Sequence, residues 1–212
     1  RTTQYVRLPG SEILKKRYKS PFPALNVYRR EEPVAMDTVF SEVPAIDDGS
    51  TCAQLYVGTK STVSDVYGMK SEKQLVNTLE DNIRERGAMK QLISDSAQSE
   101  IGKRILAILR TLCIPSWQSE PYQQHQNPCE RRYQDIKRMT NTLLDRTGSL
   151  PSTWLLAMAY VCFLLNHTYN GSIRSIPITV ATGSTPDISP LLAFTWWEPV
   201  YYKVDDSSFP SD

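Results

Sequence analysis

Histidine and cysteine are scarce in this chain. Its 212 residues include two histidines, His125 and His167, and four cysteines, Cys52, Cys113, Cys129 and Cys162. No two cysteines form a Cys-x-x-Cys pair, which argues against a zinc ribbon or a dithiol redox motif. The histidines are too few and too scattered to complete a zinc site with the thiols. The spacings show no disulfide framework, so free, buried cysteines in a reducing compartment are expected. An excess of one charge is also missing: 24 basic residues face 23 acidic ones, for a net charge of +1. That balance neither requires nor excludes nucleic acid, which is bound by local patches rather than totals. Long apolar runs are absent too. The longest, from Trp154 to Leu165, is twelve residues, whereas a bilayer span needs about 20. We read it as a buried helix, with no membrane partner. No secretory signal is visible at the start, and no internal repeat or long low-complexity tract is seen. The first residue is Arg1, and the chain is read as a piece of a longer polypeptide.

What is present is enough apolar content for a core, at 40% hydrophobic residues. Residues 1–30 read as a basic arm and linker: Ser11 to Lys19 can form a short helix carrying Lys15, Lys16, Arg17 and Lys19, and Pro21 and Pro23 would end it. A second basic patch holds Arg131, Arg132, Lys137 and Arg138. Charge runs of this kind are also the ordinary composition of solvated surface. Residues 31–170 carry regular patterning, and 171–212 read as an irregular C-terminal extension rich in Pro, Ser and Thr.

Within the patterned region Val34–Phe40, Cys52–Val57 and Val63–Met69 read as strands, with Asp47-Asp48-Gly49-Ser50 as turn chemistry after the first. A helix follows from Ser71, where Ser71 and Gln74 form a capping-box pattern, and Gly87 offers a left-handed end. Gln91–Ser94 is a short strand. A helix over Ser99–Leu112 carries Ile101, Ile105, Ile108 and Leu112 on one face. Ile114–Trp117 is a last short strand, and two more helices are expected at about Cys129–Leu144 and Ser152–Thr168. The order β-β-β-α-β-α-β-α-α predicts an α/β, three-layer protein: a mixed five-stranded sheet covered on both faces by helices, the strand order of the ribonuclease-H-like fold.

Three acids fall where such a sheet would gather them. Asp37 interrupts the apolar first strand, Asp95 follows the fourth, and Glu130 opens the third helix. A carboxylate within an apolar strand is costly unless exposed or bound to something. Phosphodiester transfer supplies a reason, because two magnesium ions about 3.5–4 Å apart can activate the attacking oxygen and stabilise the leaving one. Such hard ions prefer carboxylate oxygens. The plainer alternatives stay open here: Asp95 can cap the helix that follows, and Glu130 can complement its helix dipole.

The stretch Asp95-Ser-Ala-Gln-Ser, then Gln118-Ser-Glu-Pro-Tyr-Gln-Gln-His-Gln-Asn-Pro-Cys-Glu130-Arg-Arg, resembles the second and third signature blocks of integrases. Downstream, Pro177 through Thr182-Gly183, then Pro186-Asp187 and Ser189, resembles a segment of copia-type retrotransposon polyproteins. Residues 33–195 are covered. There are departures: 34 residues separate Asp95 from Glu130, one fewer than the family's usual count, Asn127-Pro128 stands where the family has Asn-Gly, and Ser96 replaces a common Asn. The family's His and Cys zinc-binding segment is not in this chain.

The resemblance implies the catalytic core of a DDE-type integrase, a polynucleotidyl transferase that joins element DNA ends to target DNA. Asp37, Asp95 and Glu130 would be its catalytic and metal-binding residues, with two Mg2+ (or Mn2+) ions. Arg131, Gln134, Lys137 and Asn127 would contact DNA. A homo-multimer is implied, acting in the nucleus or carried in a cytoplasmic virus-like particle before import. A plain nuclease or a cut-and-paste transposase is the rival within the same fold. A catalytically inactive, domesticated DNA-binding or assembly module is the rival from another class.

Overall fold

The computed structural model describes residues 22–94, 99–118, 128–193 and 195–201. Five strands form one sheet: β1 (Pro33–Phe40), β2 (Cys52–Gly58), β3 (Ser64–Met69), β4 (Gln91–Ser94) and β5 (Ser116–Gln118), in the order β3-β2-β1-β4-β5. The first three pair antiparallel, as a meander should, while β4 lies parallel to β1 and β5 parallel to β4. Parallel neighbours need a crossover. These are α1 (Leu75–Arg86), between β3 and β4, and α2 (Ser99–Thr111), between β4 and β5. α3 (Pro128–Thr147) and α4 (Trp154–His167) follow. The mixed, helix-covered sheet expected from the sequence is therefore the one observed.

Alternation along the strands sorts the core into two layers. Val34 and Met36 of β1 and Tyr56 of β2 point to one face, where Val76, Leu79 and Ile83 of α1 and Ile105 and Leu109 of α2 cover them. Ala35 and Val39 of β1 and Leu55 and Val57 of β2 point to the other, beneath Cys129 and Ile136 of α3 and Trp154, Met158 and Val161 of α4. β2 is buried along its whole length. The turn after β1 closes as its composition implies: Asp48 Oδ1 accepts from Ser50 N–H at 2.8 Å, and Oδ2 from the Ser50 hydroxyl at 2.7 Å. The hydroxyl bond holds the Asp48 carboxyl below its ordinary range.

Several local expectations are corrected. Ser71 makes no side-chain cap. Gln74 Oε1 instead accepts from Lys70 N–H at 2.7 Å, so half of the capping pattern forms, one residue early. Gly87 has φ +93° with an extended ψ rather than a left-handed cap. A Cβ there would collide with the Tyr28 ring, so glycine also permits the close crossing of the N-terminal segment. The stripe of α2 runs through Ile105 and Leu109, both buried, with Ile108 and Leu112 packed at its margin; Ile101's side chain lies outside the described residues. All four cysteines are free, but Cys113 is exposed rather than buried. α4 is not wholly buried, since Leu156 and Phe163 are each 41% exposed.

Residues after 171 are not irregular throughout. Two short helices form, α5 (Pro177–Thr182) and α6 (Ser189–Ala193). Pro177 starts α5 where its missing N–H costs nothing, and Gly183 ends it in the left-handed region at φ +76°. Further on, the Trp196 ring packs on Tyr160 of α4 at 5.3 Å, and its Nε1 donates to Ser149 Oγ at 3.3 Å. Among the described residues no helix is long and apolar enough to cross a membrane. The basic helix expected at 11–19 lies outside the described residues.

Candidate functional site

Asp37 sits in the middle of β1, half-buried, on the face shared by Ala35 and Val39. It is therefore the polar position in the row that α3 and α4 cover. Its Oδ1 accepts from Thr38 N–H at 2.9 Å. Across the ladder its partner is Leu55 of β2. The α3 helix begins over that point: the Cys129 thiol lies 3.9 Å from the Leu55 carbonyl, and Cys129 is fully buried. Glu130 is the next residue, half-buried, in the first turn of α3. A carboxylate there is favoured by the unpaired amides of the helix start.

One turn along α3, Tyr133 ties the helix electrically to β1. Burial raises the pKa of its phenol, and the negative charge of Asp37 raises it further. Sequence reading passed over Tyr133, although its position three residues after Glu130 places it on the same flank of a helix. Over its ring stands Lys137, with Nζ 5.9 Å from the centroid.

Asp95 and Asn127 lie outside the described residues. β4 ends at Ser94, immediately before Asp95 in the chain. Among the described residues no group of three or more His, Cys, Asp or Glu side chains is placed to hold a metal ion. The donor chemistry at hand is carboxylate oxygen from Asp37 and Glu130, which suits a hard divalent ion rather than a thiophilic one.

The basic patch of α3 separates into different things. Arg131, Gln134 and Lys137 are exposed. Arg138 pairs with Asp135 at 3.0 Å on the surface. Arg132, which looks like its neighbours in sequence, is half-buried: Nε donates to Ser64 Oγ at 3.0 Å and Nη2 to the Thr62 carbonyl at 3.4 Å. The solvated-surface expectation fails for that residue. A cavity of about 790 Å³ lies on the opposite side of the sheet, between α1, α2 and the segment Asn26–Tyr28, and is walled largely by Val27, Ile83, Ile108 and Leu112. None of Asp37, Glu130, Arg131, Gln134 and Lys137 lines it.

No protein-family model matches the chain, and no curated protein matches it. Solved structures do match. The HTLV-2 integrase catalytic core domain in complex with magnesium, in a trimeric form, superimposes with a TM-score of 0.56 at 15% identity, over 72% of this chain and 97% of that one. The catalytic core domain of BIV integrase gives 0.55 at 18% identity, over 72% and 94%. A chain of the simian T-cell lymphotropic virus intasome, in complex with the PP2A regulatory subunit B56 gamma, gives 0.57 at 14% identity over 83% of this chain. The match spans 63% of that intasome chain's own length. The fold is thus the ribonuclease-H-like fold of retroviral integrase cores.

Proposed function

We propose that this chain is the catalytic core of a metal-dependent DNA integrase of a copia-type retrotransposon, with Asp37, Asp95 and Glu130 as metal-binding catalytic residues. The observation that carries the reading is the placement of Glu130's helix start over Leu55, the ladder partner of Asp37. The pairing of β1 with β4 supports including Asp95. Pro33, Val34 and Ala35 pair with Gln91, Leu92 and Ile93, a constant offset of 58 residues, and Asp37 and Asp95 are also 58 apart. The fold shared with magnesium-bound integrase cores supports the class of reaction.

Two bound divalent ions would lower the pKa of an attacking 3′-hydroxyl and stabilise the leaving oxygen of a target phosphodiester. The chain's own residues would hold and orient. Asp37 is steadied by the Thr38 amide, and Glu130 by a helix whose neighbouring residue, Cys129, is sealed against the sheet. Lys137, exposed above Tyr133 on the same flank as Glu130, would take a DNA phosphate, with Gln134, Arg131 and Asn127 as further contacts to the element's end. Such contacts carry affinity but little base reading. Joining two DNA ends calls for more than one copy, and the HTLV-2 core is known in dimeric and trimeric forms. The enzyme would act in the nucleus, delivered from a cytoplasmic particle.

The test is oligonucleotide joining with Mg2+ or Mn2+, run for the parent chain and for Asp37→Asn, Asp95→Asn and Glu130→Gln. Each variant is expected to keep its circular dichroism and its DNA binding. Each should lose joining by at least about a hundredfold, the scale of removing one electrostatic contributor to a transition state. Metal-dependent joining that survives any of the three refutes its assignment. No joining by the parent would favour the DNA-binding module instead.

A further inference from the structure

We infer that Arg132 is a positioning residue for Glu130, an assignment that rests on the metal-site reading above and adds to it a residue on the far side of the helix. Cys129 and Ile136, both fully buried, decide which side of α3 meets the sheet. At about 100° per residue, Glu130 and Tyr133 then lie on one flank of that contact line and Arg132 on the other. Apolar contacts set the depth of a helix but resist rolling weakly, because they have no direction. A planar guanidinium with two fixed donors does have direction.

The place where Arg132 attaches is firm. Its two acceptors, Ser64 Oγ and the Thr62 carbonyl, belong to the β2–β3 turn and the first residue of β3. Three other segments hold the same turn. The buried Glu32 carboxylate accepts from Lys60 N–H at 3.1 Å, Ser61 N–H at 2.9 Å and the Ser61 hydroxyl at 2.7 Å. Asn166 of α4 bonds both the N–H and the C=O of Ser64 at 2.8 Å. Asn170 Nδ2 donates to Thr62 Oγ1 at 3.1 Å. Thr62 itself is held at φ +60°, a left-handed conformation that a β-branched residue adopts only when its surroundings impose it.

The lever is short. Arg132 lies about 3 Å along the helix axis from Glu130. Rolling α3 by about 10° would carry a carboxylate roughly 6 Å from the axis through about 1 Å, twice the roughly 0.5 Å tolerance of a working site. Magnesium in particular demands near-ideal geometry. Both partners of Arg132 are neutral, and burial lowers its pKa by more than Cys162 and Asp135 together raise it. What it contributes there is the direction of its hydrogen bonds.

The experiment measures the rise in melting temperature of the full chain as Mn2+ is titrated, with magnesium-dependent joining recorded alongside. The variants are Arg132→Met, Arg132→Lys, Ser64→Ala and Glu130→Gln. Arg132→Met should raise the half-saturating Mn2+ concentration about tenfold, the low end of what losing the groups that orient a metal ligand costs. Ser64→Ala should shift it in the same direction, and combining the two should add little, because both break one interaction. Arg132→Lys should recover part of the loss. A fall in the metal-free melting temperature with an unchanged Mn2+ midpoint would mark Arg132 as merely structural and overturn the assignment. Should Arg132→Met fail to fold, an unchanged midpoint in Ser64→Ala overturns it equally. A parent chain with no Mn2+ response, or a Glu130→Gln variant with the parental response, defeats the metal site itself and this assignment with it.

Discussion

Replacing Asn166 by leucine should destabilise the domain by more than any surface change, for a reason that can be counted. Asn166 is 3% exposed, in the last turn of α4. Its Oδ1 accepts from the Ser64 N–H and its Nδ2 donates to the Ser64 C=O, each at 2.8 Å. β3 is an edge strand, so this side chain makes the two bonds that a further strand would otherwise supply. Leucine conserves the volume, so no cavity forms, but two buried main-chain groups lose their partner. Each costs about 1–3 kcal/mol, or about 2–6 kcal/mol together. For a chain of this size, at about 2–4 °C per kcal/mol, that corresponds to a fall in melting temperature of about 4–24 °C. Urea unfolding followed by circular dichroism measures the first quantity, and a thermal scan the second. An Asn166→Leu variant within about 0.5 kcal/mol of the parent, the range of ordinary surface substitutions, would show that the two bonds do not hold β3 to α4.

Two other expectations follow from the burial pattern. At pH 8 an aromatic disulfide reagent should titrate one thiol rapidly, the exposed Cys113, and reach Cys52, Cys129 and Cys162 only on unfolding; two or more fast equivalents would refute the burial described. Burial, and next the charge of Asp65, pushes the Cys162 thiol up to about 12 from an ordinary value of 9.0. Its contribution to stability is therefore complete below pH 9 and is lost as pH rises from there toward 12, so Cys162→Ala should flatten the alkaline fall of the urea midpoint. Lys137→Ala should reduce the slope of log affinity against log salt for DNA by about 1. Arg138→Ala should change it less, because Asp135 already pairs with that arginine. Fluorescence anisotropy across a salt series reads both, and an unchanged slope in Lys137→Ala removes that residue from the DNA face.

Position 132 shows why part of the candidate site escaped sequence reading. Arg131, Arg132 and Arg138 are the same residue type within one basic stretch of one helix. Their fates differ because of what lies beside α3. Arg131 meets solvent, Arg138 meets Asp135 one turn back, and Arg132 meets a turn some 70 residues earlier in the chain. Tyr133 escaped for a similar reason. Its spacing from Glu130 is local, but its coupling to Asp37 spans nearly a hundred positions and exists only once α3 lies on the sheet. The half-formed capping pattern at Ser71 and Gln74 failed differently, since Gln74 found the Lys70 amide within reach first.

The β-branched and apolar content of Val34–Phe40 and the apolar stripes of α1 and α2 are local properties, and with the turn signals between them they were enough to read the strands and helices in their order. Turn chemistry at Asp47–Ser50 belongs to the same class, because backbone preference is decided within a few residues. What required the folded chain was everything set by contact between elements distant in sequence. That includes the parallel register of β1 and β4, the seat of Cys129 over Leu55, the burial of Arg132 and the Asn166 bridge to the sheet edge. Such contacts depend on which surfaces meet when two apolar layers close on one sheet, and no window of neighbouring residues carries that information.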